Sequence, residues 1–325
     1  MNLEIKITNK EIKVAVVLTF FSILVFLAFK TVLLFNSQYE EDLLISQENN
    51  SLAILVDNKI FDDLSLAAKS YFIWDIHEGK KLGGSNEEMQ LPLASLAKLM
   101  TVLVASELST DGTKITIESI DLESEGDNGL IAGEEWKFSD ILDFMLITSS
   151  NDGAQAMASV IGAFKDIPAG ETERDVFVKA MNDKVKKLGM SQSFFLNETG
   201  LDLNETVSGA YGSSKDVAIL IENILQEYPD ILEASSHGQV EVSSNLFTHQ
   251  INNTNQIVET LPNVVASKTG FTDLAGGNLA VVFDAGINHR IVVSVLGSTK
   301  EERFSDVEKL IWTALEKIFN DNQKI

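Results

Sequence analysis

The sequence predicts an α+β domain, an antiparallel sheet flanked by helices, carried behind one N-terminal transmembrane helix. Three observations predict it. Strand-like runs occur early and then late in the chain, while helix-periodic segments fill the middle, so the early strand must return to the late ones for a partner. An apolar stretch stands apart near the N-terminus, at residues 14–35. No internal repeat, low-complexity tract or second composition block divides the rest of the chain, so residues 66–322 read as one folded domain.

Taken in order, residues 1–13 hold Lys6, Lys10 and Lys13 and read as a cytoplasmic tail. Residues 14–29 carry no charge, and Lys30 is placed to snorkel to an interface. A helix over 14–35 would be about 33 Å long, enough for a bilayer core of about 30 Å. Lysines before the span and Glu40, Glu41 and Asp42 after it put the N-terminus in the cytoplasm and the remainder outside the cell membrane. A cleaved signal peptide would have a shorter apolar core ending in small residues. Leu34-Phe35-Asn36-Ser37 offers no such site, so an uncleaved anchor in the lipid bilayer is expected. Residues 36–65 are polar and acidic around one apolar patch and read as a stalk.

Residues 70–76, Ser-Tyr-Phe-Ile-Trp-Asp-Ile, are aromatic and β-branched and predict a strand. His77-Glu78-Gly79-Lys80 turns it, and Gly83-Gly84-Ser85-Asn86 reads as a loop. A helix starts after Pro92, carries Ser95 and Lys98, and runs to about Leu108. Further helices are expected over 138–148, 152–161, 174–188 (stopped by Gly189) and 214–226 (closed by Tyr228-Pro229). Residues 240–247 suggest a hairpin. Strands are expected at 264–271, 278–284 and 290–296, and a helix over 307–318 closes the chain.

Composition excludes several function classes. With 45% hydrophobic and 22% charged residues the chain is globular, and its net charge of −23 repels nucleic acid. There is no cysteine, hence no disulfide, Cys-based zinc site or thiol catalysis. His77, His237, His249 and His289 show no metal-ligand spacing and read as surface or turn residues. Phe144, Met145 and Met157 recur at helical spacing and read as core. No metal and no cofactor is implied.

Ser95-Leu96-Ala97-Lys98 places a hydroxyl and an amine one helical turn apart, on one face. Alone, the pair reads as well as a helix cap beside a solvated lysine. A serine nucleophile without histidine needs such an amine as its base. Two more motifs occur in order: Ser149-Ser150-Asn151 between two helices, and Lys268-Thr269-Gly270 on a strand. Ser-x-x-Lys, Ser-x-Asn and Lys-Thr-Gly together are the set of class A β-lactamases and penicillin-binding proteins.

Beyond the motifs, the chain resembles the D-alanyl-D-alanine carboxypeptidases, low-molecular-weight penicillin-binding proteins also grouped as S11 peptidases. The resemblance is carried by 92–101, by Ser149-Ser150-Asn151-Asp152, and by Phe177-Val178-Lys179-Ala180-Met181-Asn182 with Leu188-Gly189-Met190. It continues through 195–202, Asn253-Thr254-Asn255, Lys268-Thr269-Gly270-Phe271-Thr272 and Arg303-Phe304. It implies a β-lactamase/transpeptidase-like fold with an all-helical subregion, and no C-terminal β domain is expected. The chain departs from the family pattern in carrying Glu198 where Asn-Pro-x-Gly-Leu has proline, and Val265-Ala266-Ser267 in place of a glycine-containing lead-in to Lys-Thr-Gly.

The resemblance implies roles. Ser95 is the nucleophile, and Lys98 its general base, which must be neutral to act. Lys268 supplies a charge that keeps Lys98 neutral and attracts the substrate carboxylate. Asn151 orients Lys98 or the substrate amide, and Ser149 relays a proton to the leaving D-alanine. Gly270 lets substrate lie along the strand edge, and the backbone N–H groups of Ser95 and Phe271 form the oxyanion hole. Thr269 and Arg303 are candidates to clamp the terminal carboxylate. The expected partners are peptidoglycan pentapeptides and muropeptides, with β-lactams as covalent inhibitors. Three alternatives stand beside this: a D,D-endopeptidase, a silent muropeptide-binding protein, and a β-lactamase, for which Glu198-Thr199-Gly200-Leu201-Asp202 is a near match to Glu-x-x-Leu-Asn.

Overall fold

In β1 (Ser70–Asp75) nearly every side chain is buried, so this strand needs an apolar layer on both faces. It has them. Tyr71 and Ile73 join one hydrophobic cluster, and Phe72 joins the other. The computed structural model describes Lys30 and residues 60–323, apart from 111, 127 and 128. The tail, the 14–35 span and the stalk up to residue 59 therefore lie outside the described residues, Lys30 excepted. Among the described residues no helix is long and apolar enough to cross a membrane. Residues 60–65, expected as stalk, pack with the domain, and Phe61 is buried.

β2 (Lys80–Ser85) pairs antiparallel with β1. It includes Gly83 and Gly84, where the sequence predicts a loop. The glycines serve packing instead: a Cβ on Gly83 would come within 2.8 Å of the Phe61 ring. The short β3 (Leu91–Pro92) then leads into a 3₁₀ turn over Ala94–Leu96 and into α1 (Ala97–Leu108). Residues 97–105 of α1 are all buried, so it runs through the core.

The middle of the chain is helical. β4 (Lys114–Thr116) and β5 (Glu135–Lys137) form a small ladder before α2 (Phe138–Thr148) and α3 (Asn151–Gly162). α4 (Glu173–Leu188) opens on a Thr172–Asp175 capping box and closes at Gly189, whose φ is +68°. β6 (Phe194–Phe195) and β7 (Ala210–Gly212) complete a small sheet with β3, and α5 (Ser214–Glu227) comes next. The predicted hairpin is β8 (Gln239–Ser243) with β9 (Thr248–Asn252).

β10 (Val264–Thr272), β11 (Gly276–Asp284) and β12 (Arg290–Ser298) form a meander, and the main sheet has the order β10-β11-β12-β1-β2. The first strand does return to the last, with Ile73 opposite Val293. α6 (Glu302–Asn322) covers one face through Val307, Leu310, Ile311 and Ala314, and the helical body covers the other. α6 begins five residues earlier than its apolar periodicity predicts (307), and at its start the Glu302 N–H donates to Thr299 Oγ1 at 2.9 Å. Asn278, fully buried, donates to the Pro92 carbonyl at 3.0 Å and accepts from the Gly297 N–H at 2.8 Å. It ties the segment before Ser95 to the sheet.

His249 is not a surface residue. Its Nε2 lies 2.7 Å from the buried Glu134 carboxylate, and its ring packs beside Trp136 and Phe144. His289 lies in the turn between β11 and β12, as expected, and its Nε2 meets the buried Asp75 at 2.8 Å. Phe144, Met145 and Met157 are core, as expected.

Candidate active site

Ser95 lies in the 3₁₀ turn, just before α1 proper. The preceding Ala94 has φ +48°, a left-handed conformation that an alanine adopts only when its surroundings enforce it. The enforcing contacts are visible. Gly200 and Gly270 press against this turn: a Cβ on Gly200 would fall 1.9 Å from the Ala94 carbonyl, and one on Gly270 3.0 Å from the Leu93 carbonyl and 3.2 Å from the Ser95 nitrogen. Gly270 is thus required by the approach of β10 to the Ser95 turn, a role that its place in the motif does not reveal.

Lys98 is fully buried, and its Nζ is 3.0 Å from Ser95 Oγ. It also donates to Asn151 Oδ1 at 2.7 Å and to the Thr199 carbonyl at 2.9 Å. Burial pushes the amine down to about 7, against the opposing pull of Glu198 and Asp152. Loss of solvation is the largest cause of that lowering. Asn151 is held in turn by donating from Nδ2 to the Glu125 carbonyl at 2.7 Å. The α2–α3 break presents it: Ser149 has φ +62°, and Ser150 caps α3 by accepting from the Gly153 N–H.

Lys268, also buried, donates to Ser149 Oγ at 2.8 Å and to the Thr269 carbonyl at 2.9 Å. Burial, then the positive charges of Lys98 and Arg303, hold it well below the usual lysine range. Thr269 Oγ1 sits 2.7 Å from Thr254 Oγ1. Phe271 is exposed at the rim, with Lys300 5.0 Å above its ring. Arg303 is brought to the site in a different capacity from the expected clamp. It is buried, and its Nη1 donates to the Gly270 carbonyl at 2.7 Å, so it braces β10.

The structure therefore joins Ser95, Lys98 and Asn151 in one hydrogen-bonded chain and Ser149, Lys268 and Thr269 in another, with Gly270 against the Ser95 turn. A family model described as D-alanyl-D-alanine carboxypeptidase, Peptidase S11, matches residues 57–300. The chain belongs to this family. A D-alanyl-D-alanine carboxypeptidase of Bacillus subtilis, DacF, is 32% identical over 263 residues, 78% of this chain and 64% of that protein. The chain thus spans a little under two thirds of that relative's length. A D-alanyl-D-alanine endopeptidase of Pseudomonas aeruginosa is 29% identical over 255 residues, 75% of this chain and 76% of that one. Penicillin-binding protein D2 of Listeria monocytogenes, solved with ampicillin bound, is 29% identical with a TM-score of 0.64, covering 78% of this chain and 98% of that one.

Within this Peptidase S11 domain, sequence reasoning missed the Thr199 carbonyl, the Glu125 carbonyl and Thr254. Thr254 and Thr199 stood inside stretches that carry the family resemblance, which was the available signal. Glu198 also resolves. Its carboxylate forms an ion pair with Arg174, 2.6 Å from Nη2.

Proposed function

We propose that the chain is a serine D,D-carboxypeptidase of the extracytoplasmic face of the cell membrane, anchored by residues 14–35, which removes the terminal D-alanine from peptidoglycan stem peptides. The observation that carries it is Lys98 Nζ, buried and 3.0 Å from Ser95 Oγ, with a proton affinity brought down to about 7. A base poised near the working pH is the most effective one.

Ser95 Oγ attacks the carbonyl carbon of the D-Ala-D-Ala bond as Lys98 takes its proton. The N–H groups of Ser95 and Phe271 receive the developing oxyanion. The proton taken by Lys98 is relayed through Ser149, which accepts from Lys268, to the departing amine; the C–N bond breaks to leave an ester on Ser95, and Lys98 is neutral again. Lys268 and Thr269 hold the terminal carboxylate. Water, activated by Lys98, then hydrolyses the ester and restores the serine. A β-lactam is opened by the same attack, and its tethered leaving group makes the ester long-lived.

Incubation of the full chain with pentapeptide muropeptides should release one D-alanine per stem, and benzylpenicillin should add once to Ser95 by intact mass. Ser95→Ala should do neither. A second reading, D,D-endopeptidase, is favoured by the Pseudomonas aeruginosa relative. Cleavage of cross-links without alanine release would select it. Absence of any adduct would leave a muropeptide-binding protein, and rapid penicillin turnover a β-lactamase. The engagement of Glu198 with Arg174 weighs against the β-lactamase.

A further inference from the structure

Glu198 occupies the position at which the chain departs from its family pattern, and its carboxylate is 1% exposed. Charge at this depth requires a counter-ion. Arg174 on α4 provides it at 2.6 Å, while its other terminal nitrogen donates to Gln155 Oε1 at 3.1 Å. The backbone of Glu198 is fixed as well. Lys98 and Thr101, one turn apart on α1, hold two consecutive carbonyls: Thr101 Oγ1 donates to Glu198 at 2.6 Å, and Lys98 Nζ to Thr199 at 2.9 Å. The segment that meets the base is therefore pinned to α1 through its main chain and to α4 through one ion pair. On its outer side a cavity of about 450 Å³ opens, lined by Ile120, Asp121, Arg174 and Glu198 among others.

We propose that Arg174 and Glu198 are a positioning pair for Lys98, which hold the Thr199 carbonyl against its amine and set the negative charge that faces it from behind. This rests on the serine-peptidase reading above. Neither residue touches the reacting atoms; both act through Lys98. The other charges around that amine are Asp152 on α3, Lys268 on β10 with Arg303 of α6 behind it, and Asp121 beside Arg174. Glu198 and Asp152 favour the protonated amine, and burial opposes them. Lys98 must be neutral to accept the Ser95 proton, so the acid limb of acylation tracks its proton affinity. Removing the Glu198 charge lowers that affinity and moves the limb to lower pH.

The test is the pH dependence of penicillin acylation by the full chain, with wild type measured first. Glu198→Gln should move the acid limb down by about one pH unit, the size expected for loss of a nearby opposite charge. Arg174→Lys, which keeps the counter-charge, should leave it in place. Where Glu198→Gln does not fold, Arg174→Gln at its half-exposed site substitutes, and the limb must then move. A limb that stays put, with rates lowered equally at every pH, assigns the pair to packing alone and overturns the proposal. If wild type forms no adduct, the peptidase reading itself fails and this one with it. A wild-type adduct with an unmoved limb sinks the positioning pair only.

Discussion

Two buried lysines stand in the site, one on a helix and one on a strand, and they differ in their fields. Lys98 on α1 and Lys268 on β10 are both buried, both held below the ordinary lysine range, and both bonded to a serine of the motif set. Lys98 has two acids near it, Glu198 and Asp152, which favour its protonated form. Lys268 has two cations near it, Lys98 and Arg303. Burial drives the first amine toward its neutral form, and the acids draw it back to about 7, where it can exchange a proton. Cations leave the second short of an anion, which a substrate carboxylate would supply. Burial alone makes a lysine a poor cation; the neighbours decide whether it becomes a base or an anion receptor.

The comparison is broken most directly by Lys98→Ala. Loss of a general base costs on the order of 10³-fold in acylation rate, read as the second-order rate of adduct formation. The wild-type rate should fall tenfold per pH unit below about 7, because protonated Lys98 cannot accept the Ser95 proton. In the alanine variant that limb should vanish. A residual activity that kept the limb would move the base elsewhere.

Lys268→Ala should cost less, about 10²-fold, the worth of one charge-assisted hydrogen bond to a carboxylate. The loss should appear in substrate affinity, and the acid limb should survive. Substrates amidated at the terminal carboxylate should lose little further in this variant. Equal losses for acid and amide substrates would make Lys268 a structural amine, and the contrast between the two lysines would collapse.

Much of this was legible in the sequence because it is local or typed by side chain. Ser95 and Lys98 meet by helical spacing, and β1 declares itself by its aromatic run. The return of β1 to β12 followed from where strands fell along the chain. The features that stayed hidden are non-local or made by the backbone. Thr199 reaches Lys98 from 101 positions away through a carbonyl, which every residue carries and no motif marks. His249 reads as a lone surface histidine because Glu134 stands 115 positions earlier. Gly270 was expected to make room for substrate, whereas the backbone of the Ser95 turn already fills the space a Cβ would need.

Thr254 offers the finest division between the two sides. It precedes β10, outside the three motifs, and its hydroxyl lies 2.7 Å from that of Thr269 and 3.3 Å from the Ile147 carbonyl of α2. Its N–H also reaches that carbonyl, at 3.1 Å. The side chain thus fixes the rotor of Thr269, while the main chain ties β10's approach to the helical body. Thr254→Val keeps the shape and the main-chain bond and removes only the hydroxyl. One hydrogen bond is worth about 1 kcal/mol, so a roughly fivefold loss is expected. It should fall on KM for carboxylate-bearing substrates, because the proposed mechanism gives Thr269 the same carboxylate as Lys268. The acid limb near 7 should not move, because nothing in the Lys98 shell has changed. A shifted limb would mean that the β10 wall reaches the base after all, and that the two lysines titrate as one unit.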